Sequence, residues 1–292
     1  MKKVYILFNP KSGNGTGEAQ GRRLTHYEDR EVVFCDITKI ESYGEFFAKL
    51  KEEDIAVVAG GDGTISRFAT DIASLDIKND IYYYATGSGN DFLKDLGYKK
   101  GEKPFPINEY LKNLPVITVN GKTSRFVNGV GGGLDAYACV QGNKMHERGK
   151  KANYVTAALK GIFGDYKPMN IHVTIDGKEQ DFTNVWFASV MKGKYFGGGI
   201  MLAPQQHRNN DTVSLVVVHT VGRIRLLPIV PQAFSGKHVK YTQYVTVIEG
   251  KNVNVTFDCP VPVQIDGETM EDVTNYSVEV KEAVLKNMEK EM

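Results

Sequence analysis

Three short loops built of glycine and small polar residues carry the strongest chemical signal in the chain. They are Asn9-Pro10-Lys11-Ser12-Gly13, Gly60-Gly61-Asp62-Gly63-Thr64 and Gly87-Ser88-Gly89-Asn90-Asp91. Each follows an apolar run with the composition of a buried strand, and each leads into a probable helix. Glycine lets backbone approach a ligand closely and reach positive φ. The free N–H groups and positive dipole end of a following helix favour phosphate. Any one loop reads as an ordinary turn, since Gly, Asn, Asp and Ser are turn residues in any case. In a parallel sheet, however, the loops that leave the carboxyl ends of the strands gather on one edge, where ligands bind. Three such loops suit a polyphosphate better than a single anion.

Other candidates are weaker. Gly121-Lys122-Thr123 ends like a Walker A loop but has Val116 where the upstream glycine is required. Gly131-Gly132-Gly133-Leu134-Asp135-Ala136 fits GxGxxA, yet it lies in a β-rich stretch without a βαβ unit, so a dinucleotide reading rests on little. Glu268 follows Asp266-Gly267, a two-residue turn flanked by Val261, Val263 and Ile265. By spacing alone it is the next exposed acid of a hairpin. Chemically, a positioned base of this kind is what an alcohol needs to become a nucleophile. Six scattered histidines show no ligand spacing and give zinc no support.

The elements that must position these residues fall into two patterns. Val4–Phe8, Glu31–Cys35, Asp54–Ala59 and Ile81–Ala85 read as strands. Helical patterns run through Phe46, Phe47 and Leu50, over Ile65–Leu75, and over Asp91–Leu96 with Gly97 as a stop. Such alternation predicts a parallel sheet covered on both faces. After residue 114 the pattern changes. Asn120-Gly121 and Asp176-Gly177 each sit between β-rich runs, a strong hairpin signal. Val213–His219, Val239–Ile248, Val253–Asp258 and Val261–Ile265 have strand composition, and helices are expected near 135–146, 151–163 and 223–235. The expected division is therefore 1–114, joined by a helical 283–292 if that stretch packs back, and a β-rich 115–282. A length of 292 residues is comfortable for two domains.

Composition sets outer limits. Apolar residues make up 41% and charged residues 24%, as in ordinary globular chains. Lys and Arg number 36 against 35 acids, which gives no support to nucleic-acid binding. Cys35, Cys139 and Cys259 lie far apart, so a reducing cytoplasm is the expected compartment. The apolar run after Met1-Lys2-Lys3 stops after five residues at Asn9-Pro10, short of the roughly 7–15 of a signal peptide. No stretch approaches the ~18 apolar residues of a membrane span.

Gly60-Gly61-Asp62-Gly63-Thr64 after an apolar strand resembles the signature of the diacylglycerol kinase catalytic-domain family. That family includes bacterial diacylglycerol and related lipid kinases and the sphingosine and ceramide kinases, with NAD kinases as a distant branch. Further matches follow in the family's order: Asn9-Pro10 with Ser12-Gly13, Gly89-Asn90-Asp91-Phe92, and Asn128 with Gly131, Gly133, Asp135 and Ala136. Lys151 to Tyr154, Gly197-Gly198-Gly199 through Pro204, and Gln264-Ile265-Asp266-Gly267-Glu268 complete the series. The resemblance implies an α/β fold: a Rossmann-like N-terminal domain, a β-sandwich-like C-terminal domain, and ATP bound between them with Mg²⁺. It implies transfer of the γ-phosphate to a lipid alcohol such as diacylglycerol at a membrane surface. The expected enzyme is cytoplasmic, with a peripheral place on the inner face of the membrane, and a homodimer is left open.

Carried over residue by residue, the resemblance makes Asn9, Pro10, Ser12 and Gly13, with Gly60, Gly61, Asp62, Gly63 and Thr64, the phosphate-holding set. Thr38, Ser88, Gly89 and Asn90 extend the nucleotide site, although Ser88 stands where the family usually has Thr. Asp62 would organise Mg-ATP and the incoming hydroxyl, Asp91 would share its network, and Glu268 would be the general base. Two departures stand out. Ala85 replaces a proline, and Asn209-Asn210-Asp211-Thr212 replaces an Asp-Gly pair that contributes to a structural Mg²⁺ site, which argues against a metal at Asp211. A sphingoid-base or NAD kinase is the nearest alternative, the latter disfavoured by the Asn-Pro-x-Ser-Gly opening. A non-catalytic nucleotide-binding protein is opposed by the retained acids. The basic and apolar segment Gly222–Pro231 is read as a helix that packs its Ile, Leu and Phe234 inward with its arginines solvated, in preference to a membrane contact.

Overall fold

The computed structural model describes residues 1–25, 27, 29–87, 89–147, 154–164 and 166–280. Ser88, residues 151–153 of the expected second helix of the β-rich half, and the expected helix at 283–292 lie outside the described residues.

Lys3–Phe8 (β1), Glu31–Asp36 (β2), Ile55–Gly60 (β3), Asp80–Ala85 (β4) and Phe105–Pro106 (β5) form one sheet in the order β2-β1-β3-β4-β5. The first four run parallel and β5 antiparallel. Between them lie Ser12–Gly15 (α1), Gly17–Gly21 (α2), Tyr43–Ala48 (α3), Asp62–Asp71 (α4), Asp91–Asp95 (α5) and Asn108–Lys112 (α6). Strand side chains alternate between faces. Val4, Ile6 and Phe8 therefore pack with Ile55, Val57 and Ala59 on one side. Leu7, Ala56 and Val58 meet Tyr43, Phe47 and Phe68 on the other. A sheet buried on both faces is why these strands are nearly continuous apolar runs.

The second sheet has ten strands. Its path begins with Val116–Val119 (β6), Lys122–Arg125 (β7) and Gly129–Gly133 (β8). The helices Leu134–Glu147 (α7) and Tyr154–Phe163 (α8) follow. Met169–Ile175 (β9), Lys178–Val185 (β10) and Phe187–Met191 (β11) come next, and Tyr195–Phe196 (β12) with Ile200–Met201 (β13) forms a separate small hairpin. Val213–Val218 (β14) precedes Arg223–Leu226 (α9) and Ile229–Gln232 (α10), and Val245–Gly250 (β15), Asn252–Ile265 (β16) and Glu268–Glu279 (β17) close the chain. The order is β15-β14-β11-β8-β16-β17-β6-β7, with β9 joining β16 and β10 joining β9. Register shifts in the β16–β17 pair between Thr256 and Val263 let the sheet curl over its own core of Val, Ile and Phe, giving a β-sandwich-like half.

Several expected elements take a different form. Val253–Asp258 and Val261–Ile265 are one strand, β16, because the bulge absorbs the break at Pro260. Val239 falls in a 3₁₀ turn, Lys237–Lys240, and the strand expected from Val239 begins only at Val245. The helix expected over 223–235 is broken into α9, α10 and a 3₁₀ turn, since Pro228 and Pro231 cannot continue one ladder. Gly131 to Gly133 belong to β8, between β11 and β16, so GxGxxA here is a strand and not a dinucleotide turn.

Candidate active site

Strands β1, β3 and β4 are adjacent and parallel, so their three loops meet at one edge. Asn9 Nδ2 donates to Thr64 Oγ1 at 2.8 Å, joining the first loop to the second. The hydroxyls of Ser12 and Thr86 share a hydrogen bond of 2.8 Å, joining the first to the third. Thr86 N and Gly87 N both donate to Gly60 O, at 2.8 and 3.3 Å. Gly61 and Gly87 lie so close that a Cβ on Gly87 would sit 2.5 Å from Gly61 Cα, so neither loop tolerates a side chain there. Gly13 has φ of +56°, the left-handed region that glycine enters freely. Pro10, just past β1, has no N–H to extend the ladder and turns the chain into the loop.

The ten-residue α4 starts at Asp62, with its N-terminal end at this edge. Asn90 adopts φ of +54° and anchors its own loop by donating from Nδ2 to Gly87 O. Gly89 faces the Asp62 carboxylate, whose Oδ2 would lie 3.5 Å from a Cβ there. Thr38 stands beyond β2, the outer neighbour of β1, and makes its hydrogen bonds to Asp36 within its own turn. Two contributors escaped the sequence reading. Thr86 is fully buried between loops, and Lys100 grips the third loop through Gly87 O at 2.7 Å. The available signal for Thr86 was its place between the end of β4 and the first glycine.

Asp62 is a tertiary N-cap. Its two oxygens accept from Asp91 N at 2.7 Å and Phe92 N at 3.0 Å, the first N–H groups of α5. Asp91 Oδ2 accepts from Gly198 N at 2.8 Å, while its buried Oδ1 and that of Asn90 have no protein partner. These oxygen donors fit a hard cation such as Mg²⁺. Burial, and next the Asp62 carboxylate, push Asp91 up to about 7. The nucleotide-free folded protein therefore keeps a proton on Asp91 that the unfolded chain loses above about pH 4. This stabilisation is complete below that pH and is lost as pH rises through 7. Asp91→Asn is expected to flatten that part of the profile of Tm against pH. Superimposable slopes for the two proteins would contradict the assignment.

Opposite the loops stands the β16–β17 hairpin. Asp266 and Gly267 have φ of +46° and +93°, as a two-residue type I′ turn requires. The Asp266 carboxylate accepts from the N–H groups of Val127, Asn128 and Gly129 at 2.7, 2.9 and 2.9 Å, which pins the turn in place. Asp266 and Gly267 share with Asp62, Gly89 and Asp91 the polar end of a cavity of about 600 Å³. Glu268, the first residue of β17, is exposed and lines an adjoining groove of about 350 Å³ with Gly63, Ser66 and Lys122. Gly63 borders both spaces.

Away from the loops the cavity is apolar, walled by Leu134, Ala138, Ala158, Ile162, Phe196 and Leu226. Among its polar exceptions, beside Gln264 and His238, is Asp135. Its Oδ2 accepts from Ser189 Oγ at 3.0 Å and Gln264 Nε2 at 3.5 Å, but its buried Oδ1 has no protein partner and burial raises its pKa. Only glycine at 131 leaves room, since a Cβ there would lie 1.9 Å from Asp135 Oδ2. The Gly131-x-x-x-Asp135 spacing was therefore the sequence signal for this carboxylate.

The rim of the cavity corrects the expectation for 222–231. Leu226 and Ile229 are buried, but Ile224 is 82% exposed and Phe234 43%, beside Tyr154, Val155 and Phe163 on exposed parts of α8. Arg223 is not solvated as expected: it donates to the carbonyls of Ile162, Gly164 and Tyr166 and lies over Trp186. Asp211 points outward and accepts from Lys251 Nζ at 2.6 Å.

Comparison with known proteins agrees over both halves. Residues 3–116 match the diacylglycerol kinase catalytic domain, and residues 128–287 match the YegS C-terminal NAD kinase beta sandwich-like domain. The chain is similar to a diacylglycerol kinase of Mycobacterium tuberculosis, 24% identical over 285 residues, covering 90% of this chain and 91% of that protein. A diacylglycerol kinase of Bacillus subtilis is 25% identical over 283 residues, covering 92% and 90%. A solved diacylglycerol kinase from Bacillus anthracis superposes with a TM-score of 0.66 at 21% identity, over 95% of this chain and 93% of that one.

Proposed function

This chain belongs to the diacylglycerol kinase catalytic-domain family, with its NAD-kinase-like β-sandwich, and we propose that it transfers the γ-phosphate of Mg-ATP to the hydroxyl of diacylglycerol or a closely related lipid. The observation that carries this reading is the cavity itself: one end is formed by Asp62, Asp91 and the turn of the acidic hairpin, and most of the rest is hydrocarbon-lined. A lipid seated there would bring its hydroxyl to the phosphate loops while its acyl chains stay out of water. The test is ATP turnover against a lipid panel in mixed micelles, with the product identified by mass spectrometry. Sphingoid bases and NAD belong in the panel. Phosphate transfer to either of these alone would replace diacylglycerol as acceptor, and no turnover with any would end the reading.

Asn9, Ser12, Gly13 and the Gly60–Thr64 loop would cradle the triphosphate, the backbone N–H groups and the dipole of α4 offsetting its charge. Asp62 and Asp91 would hold the magnesium of Mg-ATP, whose charge would offset that of the phosphates. Glu268 would accept the proton of the lipid hydroxyl as the hydroxyl oxygen bonds the γ-phosphorus in line and the bond to the bridging oxygen breaks, releasing ADP. The loops would stabilise the charge that builds on the transferring group. Asp135, its pKa raised by burial and its Oδ1 without a protein partner, would donate a hydrogen bond to an ester oxygen of the acceptor. The division at 114/115 separates the nucleotide cradle from the half that carries the hairpin and the apolar cavity.

Ala158, on the cavity wall, offers a separate check. Ala158→Phe is expected to raise the KM for a long-chain acceptor at least about tenfold by occupying acyl space. Its KM for ATP should stay within a factor of two or so, because binding sites without shared contacts respond independently. Equal loss for both substrates would place the lipid elsewhere. The exposed Phe163 and Ile224 beside Lys160 and Arg225 support a peripheral position at an anionic membrane surface, from which the acceptor would enter. Among the described residues, no helix is long and apolar enough to cross a membrane.

A further inference from the structure

Away from the cradle, a cluster of buried charge lies where the second sheet meets α5. Arg208 spans the junction. Its Nε donates to Asp95 Oδ2 at 2.9 Å, both side chains being 3% exposed, and its guanidinium covers the Phe92 ring at 4.6 Å. It also donates to Val127 O and, at 3.0 Å, to Asn128 Oδ1. Beside it Lys192 is 1% exposed, with its ammonium on the Asn210 carbonyl at 2.5 Å. Lysine is almost never fully buried without a paired group. Burial, and next the Arg208 guanidinium, draw the pKa of Lys192 down to about 8.

The turn 206–212 is thus organised from inside by side chains. Gln206 donates to Thr212 O at 3.0 Å and accepts from Ser214 Oγ at 2.6 Å, Lys192 takes the Asn210 carbonyl, and Arg208 ties the turn to α5. Asp211, the side chain that the family resemblance would assign to a metal, faces solvent and Lys251. The carboxylate that does face inward, Asp95, is already held by Arg208. A divalent cation entering here would meet two buried cations and one spoken-for carboxylate, and like charges at short range in a low-dielectric site repel strongly.

We propose that the Lys192 ammonium is the built-in cation of the 206–212 turn, doing there what a bound metal would do, so that this chain carries no structural magnesium. A compact cation bonded to an inward carbonyl offsets its dipole whether it is a metal or an ammonium; the lysine differs in being covalently part of the chain and immune to chelators. The inference does not depend on which acceptor the protein phosphorylates, because its readouts are metal content and thermal stability.

The full chain, without nucleotide, would be dialysed at pH 7 against EDTA or millimolar MgCl₂, then assayed by atomic emission and thermal unfolding. Less than about 0.1 Mg²⁺ per chain after EDTA is expected, with Tm values in the two buffers agreeing to within about 1 °C, since a ligand that binds only the folded state would raise Tm. Lys192→Met keeps the stem but strands the Asn210 carbonyl, and Tm is expected to fall by roughly 2–6 °C in both buffers alike. One magnesium retained per chain, or a wild-type Tm several degrees lower in EDTA, would overturn the proposal. So would a Lys192→Met protein as stable as wild type. The metal measurements on the wild type stand even if the variant does not fold.

Discussion

Glu268→Gln is expected to lower kcat by about 10²–10⁴ while leaving ATP affinity within about twofold, the loss typical of removing a positioned proton acceptor. Glutamine has nearly the same shape, so the β17 start and the Asp266-Gly267 turn should be undisturbed. The turn is held by the Asp266 carboxylate and by Gly267 N donating to Gln264 Oε1, not by Glu268. Glu268 is exposed and lies on the groove adjoining the cavity, which leaves it free to approach an incoming hydroxyl. Turnover in mixed micelles measures kcat, a nucleotide titration measures affinity, and thermal unfolding tests integrity. A Glu268→Gln protein with wild-type kcat would remove Glu268 from the reaction and return it to the status of a hairpin surface acid. A drop in affinity equal to the drop in kcat would instead make it a nucleotide-binding residue.

Asp62→Asn should damage the enzyme in two ways, with kcat reduced by roughly 10²–10³, the scale of losing one preorganised electrostatic contact. The first is chemical: a carboxylate oxygen suited to magnesium becomes a neutral amide. The second is structural. Asp62 accepts from both Asp91 N and Phe92 N, and an asparagine has one oxygen for those two donors, so its NH₂ must face an N–H. The start of α5 would loosen, and the third loop with it. The variant also removes one of the two causes that raise Asp91, so the Asp91 titration should move below about 7. Stability would follow. The native protein loses this proton-linked stabilisation as pH climbs to 7, whereas the variant should lose it at lower pH. A variant with full activity and an unshifted profile would mean that Asp62 neither meets the nucleotide nor senses Asp91.

Much of the frame was legible in the chain because its signals are local. The runs Val4–Phe8 and Asp54–Ala59 were readable as buried strands, and they became β1 and β3. Asn120-Gly121 and Asp176-Gly177 were readable as hairpin turns, and Asn120, Asp176 and the glycines all have positive φ. Such signals are decided by the conformational preferences of two or three neighbouring residues. Where a local signal was ambiguous, the longer-range context decided. Val253–Asp258 and Val261–Ile265 read as two strands, and pairing with β17 made them one that runs through Pro260. Ile224 looked like a core residue of a helix, and the prolines at 228 and 231 left it at the surface.

The amino-acid sequence by itself determined the strands, the glycine loops at their ends and the hairpin turns, which depend on residues close together along the chain, and the kinship with lipid kinases, which rests on a series of such short motifs. The tertiary structure alone decided that Ser12 meets Thr86, that Asp62 caps α5, that Asp266 docks on Asn128, and that Lys192 is buried against a carbonyl. The first and third of these contacts join residues 74 and 138 positions apart. No local preference encodes such a contact, because its energy exists only once both partners have been drawn out of water into the same place.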